Sequence, residues 1–401
     1  MLIPHLGMGG AQRVMFDHSV ALARDFKVHE ACFNVADGHF FHSGNPVIDL
    51  AIGPARGVPA KIAAFAKRIR LVRRLKLSLA TDLTISHLEG AHYVNLLGGV
   101  GDKKILVIHG SLIHDRALGR VKGFIIRRLL IPLLHNRADR IVTVSGELVP
   151  ELVSLGVRRE KIITIHNFFD SAAIRARSLE ALSVAEQSMF DGPPVLVTSG
   201  RLALQKNQAP LLDIFALLLK RRPARLLFLG DGELRQSLID HARSLGLRVA
   251  EDARDDADVF FLGFQDNPFR FQRHAAAFVL SSGWEGFPMV IGEAMACGLP
   301  IVSADCPTGP REFLAPATIG YTIRPLLVVE RGAFGLLLPI PDEHKVATID
   351  LWVEQLDQLL GDAPVLRAMA SQSLARAEDF TREKIGAQWL ALVEELVATS
   401  A

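Results

Sequence analysis

The sequence predicts an α/β protein of two domains, each built on a parallel sheet of βαβ units. Three observations predict it. The chain has 401 residues, too many for one ordinary core and suited to two domains of roughly 150–200 residues. Short, almost continuous apolar runs alternate with helical stretches, the pattern of strands covered by helices on both faces. The alternation breaks once, over residues 167–193, where a polar, Ala-rich stretch leads to the DGPP turn. That stretch reads as the connection between domains, with the second sheet starting at Pro194.

The strand candidates, in order, are KILVIH (104–109), RIVTVS (140–145), KIITIH (161–166), PVLVTSG (194–200), ARLLFLG (224–230), DVFFLG (258–263), AAFVLSS (276–282) and PIVSAD (300–305). They are rich in Val, Ile, Leu and Phe and bounded by Gly, Asp or Ser. Helical candidates include 209–223 and 233–246, and two helices close the chain, at 363–378 and about 381–398. The first strand, ahead of Gly7, is unusually short.

Hydrophobic content of 49% and charged content of 22% fit a globular chain. Three cysteines with no C-x-x-C pair argue against a disulfide framework or a zinc site and for a reducing compartment. No run of about 18 apolar residues predicts a membrane span, and the start lacks a signal peptide's charged and cleavage regions. The net charge of +2 hides an asymmetry. Residues 1–168 hold 23 Lys/Arg and 13 Asp/Glu, a balance of +10, and the remainder carries −8.

Chemistry concentrates at four places. HLGMGGAQR (5–13) ends a short apolar run and precedes a helix. Its Gly9 and Gly10 would let backbone N–H groups approach an anion. Gln12 occupies the third position of a G-x-G-x-x-G fingerprint, which disfavours a dinucleotide-dependent dehydrogenase. His109 follows a strand, where open α/β sheets bind ligands. A structural histidine is the alternative. SGRLALQKNQ (199–208) offers Arg201 and Lys206 after the first strand of the second half, a pair suited to a diphosphate, with a solvated basic loop as the alternative.

GWEGFPMVIGEA (283–294) carries Glu285 and Glu293. Paired carboxylates suit a glycoside hydrolase. Here, however, Pro288 suits the first position of a helix over 289–297, closed by Gly298 and Pro300. Glu285 then lies in a loop and Glu293 inside the helix, facing different parts of one ligand. The N–H groups of Met289 and Val290 at the helix start form an anion site.

These motifs together resemble the retaining glycosyltransferases of family 4, whose E-x7-E element is here Glu285 to Glu293. SGRL…QKN, the LGDGE turn (229–233) and the GGAQR start stand in the family's order. The resemblance implies the GT-B fold, two Rossmann-like domains facing across a cleft. The N-terminal, acceptor-side domain would span 1–168 with about 380–401 crossing back. The nucleotide-sugar domain would span 169–379.

By the same resemblance, Arg201 and Lys206 neutralise the diphosphate, Glu293 holds the ribose hydroxyls, and Gly286, Phe287, Pro288, Met289 and Val290 give backbone contacts to the donor. Glu285 faces the sugar ring, with His109 near it. Gly9 and Gly10 admit the diphosphate or acceptor, and the LGFQDN stretch with Phe264 meets the base. CPTGPRE (306–312) accompanies the E-x7-E element in many such enzymes. Gln12 stands where the family usually carries Glu. No metal or organic cofactor is expected. A GT-B sugar-nucleotide epimerase and a catalytically inert sugar-nucleotide-binding subunit are the rival readings.

Two basic stretches add a location. Residues 61–77 hold seven Lys/Arg and no acid, and 119–137 combine cations with a long apolar run. Basic amphipathic helices bind anionic membranes, so a cytoplasmic protein at the inner face of the membrane is expected, with a glycan or polyprenyl-lipid-linked acceptor. Nucleic acid is not expected, because no recognition motif accompanies the cations.

Overall fold

The computed structural model describes the chain except residues 8, 36–40, 114–119, 255, 321–325, 343 and 399–401, and the side chains of 120–122. It divides into two compact units, Met1–Phe168 with Thr381–Ala401, and Phe169–Phe380.

The first unit holds β1 (Leu2–Ile3), β2 (Glu30–Cys32), β3 (Val47–Asp49), β4 (Leu83–His87), β5 (Lys103–Ile108), β6 (Arg140–Thr143) and β7 (Ile162–Thr164). They form one parallel sheet in the order β3-β2-β1-β4-β5-β6-β7. Alternation sends Leu2 and Ile3 to opposite faces. Leu2 packs with Ala31, Phe33, Val72 and Val94, and Ile3 with Leu6, Met15 and Cys32. The C-terminal helix Arg382–Ala398 returns to this unit, where the Trp389 ring lies 4.2 Å from that of His18 on helix Gly10–Leu22.

The second unit holds β8 (Val195–Ser199), β9 (Arg225–Leu229), β10 (Val249–Ala250), β11 (Val259–Phe261), β12 (Ala277–Leu280), β13 (Ile301–Ala304), β14 (Glu330–Gly332) and β15 (Gly335–Leu338). Their order is β10-β11-β9-β8-β12-β13-β15-β14. All pairs are parallel but the last, because the tight turn between β14 and β15 permits only a hairpin. Leu196, Leu226, Phe228, Val259, Phe261 and Val279 build its core, against Phe215 and Trp352 from the covering helices.

Two expectations change. Residues 171–188 are not a bare connection: they form helices Ser171–Ser178 and Val184–Ser188. Asp170 caps the first through the Ala173 N–H, and Ser183 with Glu186 makes a capping box on the second. Polar composition misled there because caps and short amphipathic helices use the same residues as loops. The other change is at Pro288. It is the N-cap of helix Met289–Ala296 rather than its first residue.

Candidate functional site

In each unit the strand order reverses at one point, between β1 and β4 in the first and between β8 and β12 in the second. Loops beyond the carboxyl ends of such strands frame the ligand crevice of open α/β sheets. The predicted residues fall on these loops. Arg201 and Lys206 follow β8, and Glu285 to Val290 follow β12. Gly9 and Gly10 follow β1, and His109 follows β5, the neighbour of β4.

In the second unit, Lys206 and Glu285 are direct partners. Lys206 Nζ donates to Glu285 Oε1 at 2.7 Å, and the side chains are 17% and 6% exposed. Ser282 Oγ donates to the same oxygen at 2.6 Å. Gln205 Nε2 donates to the Trp284 carbonyl at 2.9 Å and reaches Glu285 Oε2 at 3.5 Å. Asn207, in the left-handed conformation at φ 50°, donates to the carbonyls of Ser281 at 3.2 Å and Pro341 at 2.9 Å. The QKN segment is thus fastened residue by residue onto the loop after β12.

The CPTGPRE segment holds that loop from its other side. The Glu285 N–H donates to the Pro307 carbonyl at 3.1 Å, and Thr308 Oγ1 donates to the Glu285 carbonyl. Gly309 sits at φ 99°, where a Cβ would come within 2.4 Å of Pro288 Cδ and 2.9 Å of the Gly286 carbonyl oxygen. Only glycine fits. Arg311 anchors the segment from beneath, fully buried, with Asp305 at 2.8 Å and Glu330 at 2.7 Å.

Helix Met289–Ala296 starts with no side-chain cap and no acidic residue in its first turn. Its positive end is therefore not neutralised locally. Gly286, Phe287 and Pro288 are buried, and Met289, Val290 and Glu293 half-buried. The Phe287 ring packs on Phe313 at 4.4 Å and Phe380 at 5.5 Å, so this residue can serve a ligand through its backbone. Arg201 is different from Lys206. It is 69% exposed, and among the described residues its guanidinium has a single ion-pair contact, at 3.7 Å to Glu233 of the LGDGE turn. Phe264 is 56% exposed.

In the first unit, Gly9 is the N-cap of helix Gly10–Leu22, and a Cβ at exposed Gly10 would meet nothing within 4 Å. Met8 of this loop lies outside the described residues. Buried Gln12 contacts His5 Nδ1 at 3.3 Å through its Nε2. His109 is half-buried and shares a 2.9 Å hydrogen bond with His87, the last residue of β4. Burial pushes the His109 imidazole down to about 3, so it is neutral at pH 7.

The sequence reading did not single out His87, Ser282, Gln205 or Thr308 as site residues. Gln205 and Thr308 lie inside quoted motifs. His87 stood in the unrecognised strand LTISH, whose polar residues hid it.

The two basic stretches also take shape. Residues 58–78 form one helix. Lys76 is not on its outer face: it is buried against Asp102 at 2.7 Å and Asn95 Oδ1 at 2.6 Å. Arg68 turns inward to the Ile52 carbonyl at 3.1 Å. Lys61, Lys67, Arg70, Arg73 and Arg74 remain exposed. In the second stretch, Phe124, Leu129 and Leu133 are 65%, 52% and 65% exposed, and Arg128 is exposed beside them. Gly119 lies outside the described residues. No helix among the described residues is long and apolar enough to cross a membrane.

Comparison with known proteins bears on the family and the fold. Residues 183–328 match the family described as glycosyl transferases group 1, and residues 8–173 match Glycosyltransferase Family 4. An uncharacterized glycosyltransferase of Methanocaldococcus jannaschii is 30% identical over 82% of this chain and 82% of its own. The chain belongs to the glycosyltransferases. A second relative of this enzyme, 24% identical over 96% of both chains, is the N-acetylgalactosamine-N,N'-diacetylbacillosaminyl-diphospho-undecaprenol 4-alpha-N-acetylgalactosaminyltransferase of Campylobacter jejuni. Among solved structures, Anabaena Alr3699/HepE in complex with UDP and glucose superposes with a TM-score of 0.72 at 19% identity, covering 98% of this chain and 99% of its own. The glycosyltransferase therefore has the GT-B fold of two parallel-sheet α/β domains.

Proposed function

We propose that this glycosyltransferase moves a sugar, with retention of configuration, from a UDP-sugar to a glycan or polyprenyl-lipid-linked acceptor in cell-surface polysaccharide or glycan assembly. One observation carries the reading: at the switch point between β8 and β12, an exposed guanidinium, a carboxylate-held ammonium and an uncapped helix start lie on the loops that follow these two neighbouring strands. Departure of a nucleoside diphosphate needs fixed positive charge, and these groups supply it without a metal. Arg201 and Lys206 bind the diphosphate, Glu293 takes the ribose hydroxyls, Phe264 meets the base, and the backbone of 286–290 meets phosphate and sugar. Glu285 sets the position of Lys206 and faces the sugar, with His109 as a second sugar contact. The UDP and glucose bound by HepE and the diphospho-undecaprenol named in the Campylobacter relative support the donor and acceptor classes.

The test is nucleoside diphosphate release from a panel of UDP- and GDP-sugars, with and without a polyprenyl-diphosphate-linked glycan. UDP release that depends on the acceptor is expected, with the anomeric configuration of the product read by NMR. Turnover of GDP-sugars alone, or an inverted product, would overturn the donor or the stereochemistry.

We further propose peripheral binding to an anionic membrane at the inner face of the cytoplasmic membrane, through the exposed apolar residues Phe124, Leu129 and Leu133 and the outward cations of both basic stretches. Each cation near an anionic leaflet contributes about 1 kcal/mol. Sedimentation with anionic vesicles, weakened by salt, is expected. Equal recovery with zwitterionic vesicles would contradict it.

A further inference from the structure

Three imidazoles stand in line in the first unit. The ring centroids of His18 and His87 are 5.7 Å apart, and those of His87 and His109 are 5.1 Å apart at 25° between planes. His87 Nδ1 and His109 Nε2 lie 2.9 Å from one another. Burial is the largest cause holding all three neutral at pH 7. A neutral imidazole has one N–H and one lone pair. A single proton therefore lies between His87 and His109, and which ring owns it sets what His109 offers at its other nitrogen.

The surroundings of His87 decide the owner. Its Nε2 is buried with no hydrogen-bond partner among the described residues. If His87 were protonated there, a buried N–H would be stranded, a rare and unfavourable arrangement; a bare lone pair in that place is better tolerated. We infer that His87 is the positioning residue of this site: it donates its Nδ1–H to His109 Nε2 and so locks His109 as the Nδ1–H tautomer. This is the reverse of the Nε2–H form that a free histidine side chain favours. The Nδ1–H of His109 makes no hydrogen bond with the described residues, and His109 is half-buried rather than enclosed. His109 thus presents a neutral, pre-oriented donor of one hydrogen bond. Its complement is a sugar hydroxyl or another uncharged oxygen acceptor. Preorganisation of this kind contributes where a donor must be in place before the substrate arrives.

The inference deepens the proposed reaction and rests on it for what His109 touches. The hydrogen-bond assignment itself does not. Both halves are read on the full-length protein. The tautomers are read from ring-nitrogen shifts of ¹⁵N-histidine protein in long-range ¹H–¹⁵N spectra, with the His109 and His87 signals identified by their loss in His109→Gln and His87→Asn. Protonated Nδ1 and bare Nε2 are expected for both rings. Protonated Nε2 on His109 in the wild type overturns the inference without any variant.

In His87→Phe, His109 should shift toward the Nε2–H form and kcat for the UDP-sugar should fall roughly tenfold. His87→Asn, whose side-chain amide can donate from nearly the same place, should keep the Nδ1–H form and most of the turnover. Unchanged tautomers in His87→Phe overturn the positioning role. A changed tautomer with unchanged kcat and KM overturns the contact between His109 and substrate, and leaves the assignment of the proton standing.

Discussion

Removing the Lys206 ammonium should unsettle Glu285 as much as it slows the reaction. Glu285 is 6% exposed, and among the described residues Lys206, at 2.7 Å, is the only cation bonded to its carboxylate; the other partners are the Ser282 hydroxyl at 2.6 Å and the Gln205 amide at 3.5 Å. Breaking a fully buried pair from one side costs about 3–5 kcal/mol, because the remaining charge stays desolvated. The 17% exposure of Lys206 admits some water, which brings the expectation for Lys206→Met to about 2–3 kcal/mol. For a unit of this size that is a fall of about 5–10 °C in Tm. Adding Glu285→Gln should recover most of the loss, since the carboxamide carries no charge to strand. Turnover should not recover, because the diphosphate still lacks its ammonium. Scanning calorimetry of the wild type, both single variants and the double variant completes the cycle, with UDP release as the second readout. A loss under about 1 kcal/mol in Lys206→Met, or a double variant no more stable than it, would refute the reasoning that Glu285 depends on Lys206 for its charge.

Three further outcomes are expected. Arg201→Ala should leave Tm within about 1–2 °C, since an exposed pair contributes little, while lowering turnover at least tenfold; a large drop in Tm would show a structural role instead. Gly309→Ala should destabilise the second unit by about 2 kcal/mol or more, through its positive φ and the clash with Pro288, and a wild-type calorimetric transition would contradict this. Acid should weaken the first unit. Burial first of all holds His18 at about 3 and His92 at about 4, against about 6.5 in the unfolded chain. Below 6.5 the unfolded state takes up the extra protons, so stability is full above that pH and falls as pH drops toward the folded values. The loss is about 2 kcal/mol for each of the two by pH 5. Calorimetry from pH 7.5 to 5 should show the first unit's transition moving down, and a flat profile would sink the idea.

Much of the second unit could be read from sequence because β8, β9, β11, β12 and β13 are buried on both faces and so appear as apolar runs. β4 escaped for the opposite reason. Its interior residues include Thr84, Ser86 and His87, made tolerable there by partners such as Asp102, which accepts from Thr84 at 2.7 Å, and Asn95, which donates to Ser86 at 3.1 Å. Those partners lie 9 to 18 residues away, beyond what a local hydrophobic pattern reports. The same limit applies to the site. Residue types near strand ends pointed separately to Lys206 and Glu285, but that these two hold each other depends on β8 and β12 being neighbours across 79 residues of chain. The basic helix 58–78 shows a further limit. Counting cations could not tell Lys76, neutralised inside by Asp102, from the five that stay outside.

The central claim is that the loops after β8 and β12 hold the nucleotide of a UDP-sugar. Calorimetric titration of UDP into the full-length wild type, Lys206→Met and Glu293→Ala tests it most directly. The account predicts saturable one-to-one binding by the wild type, weakened about tenfold or more in each variant as charge-assisted hydrogen bonds are lost. Unchanged affinity in both variants, or no UDP binding by the wild type, would contradict it.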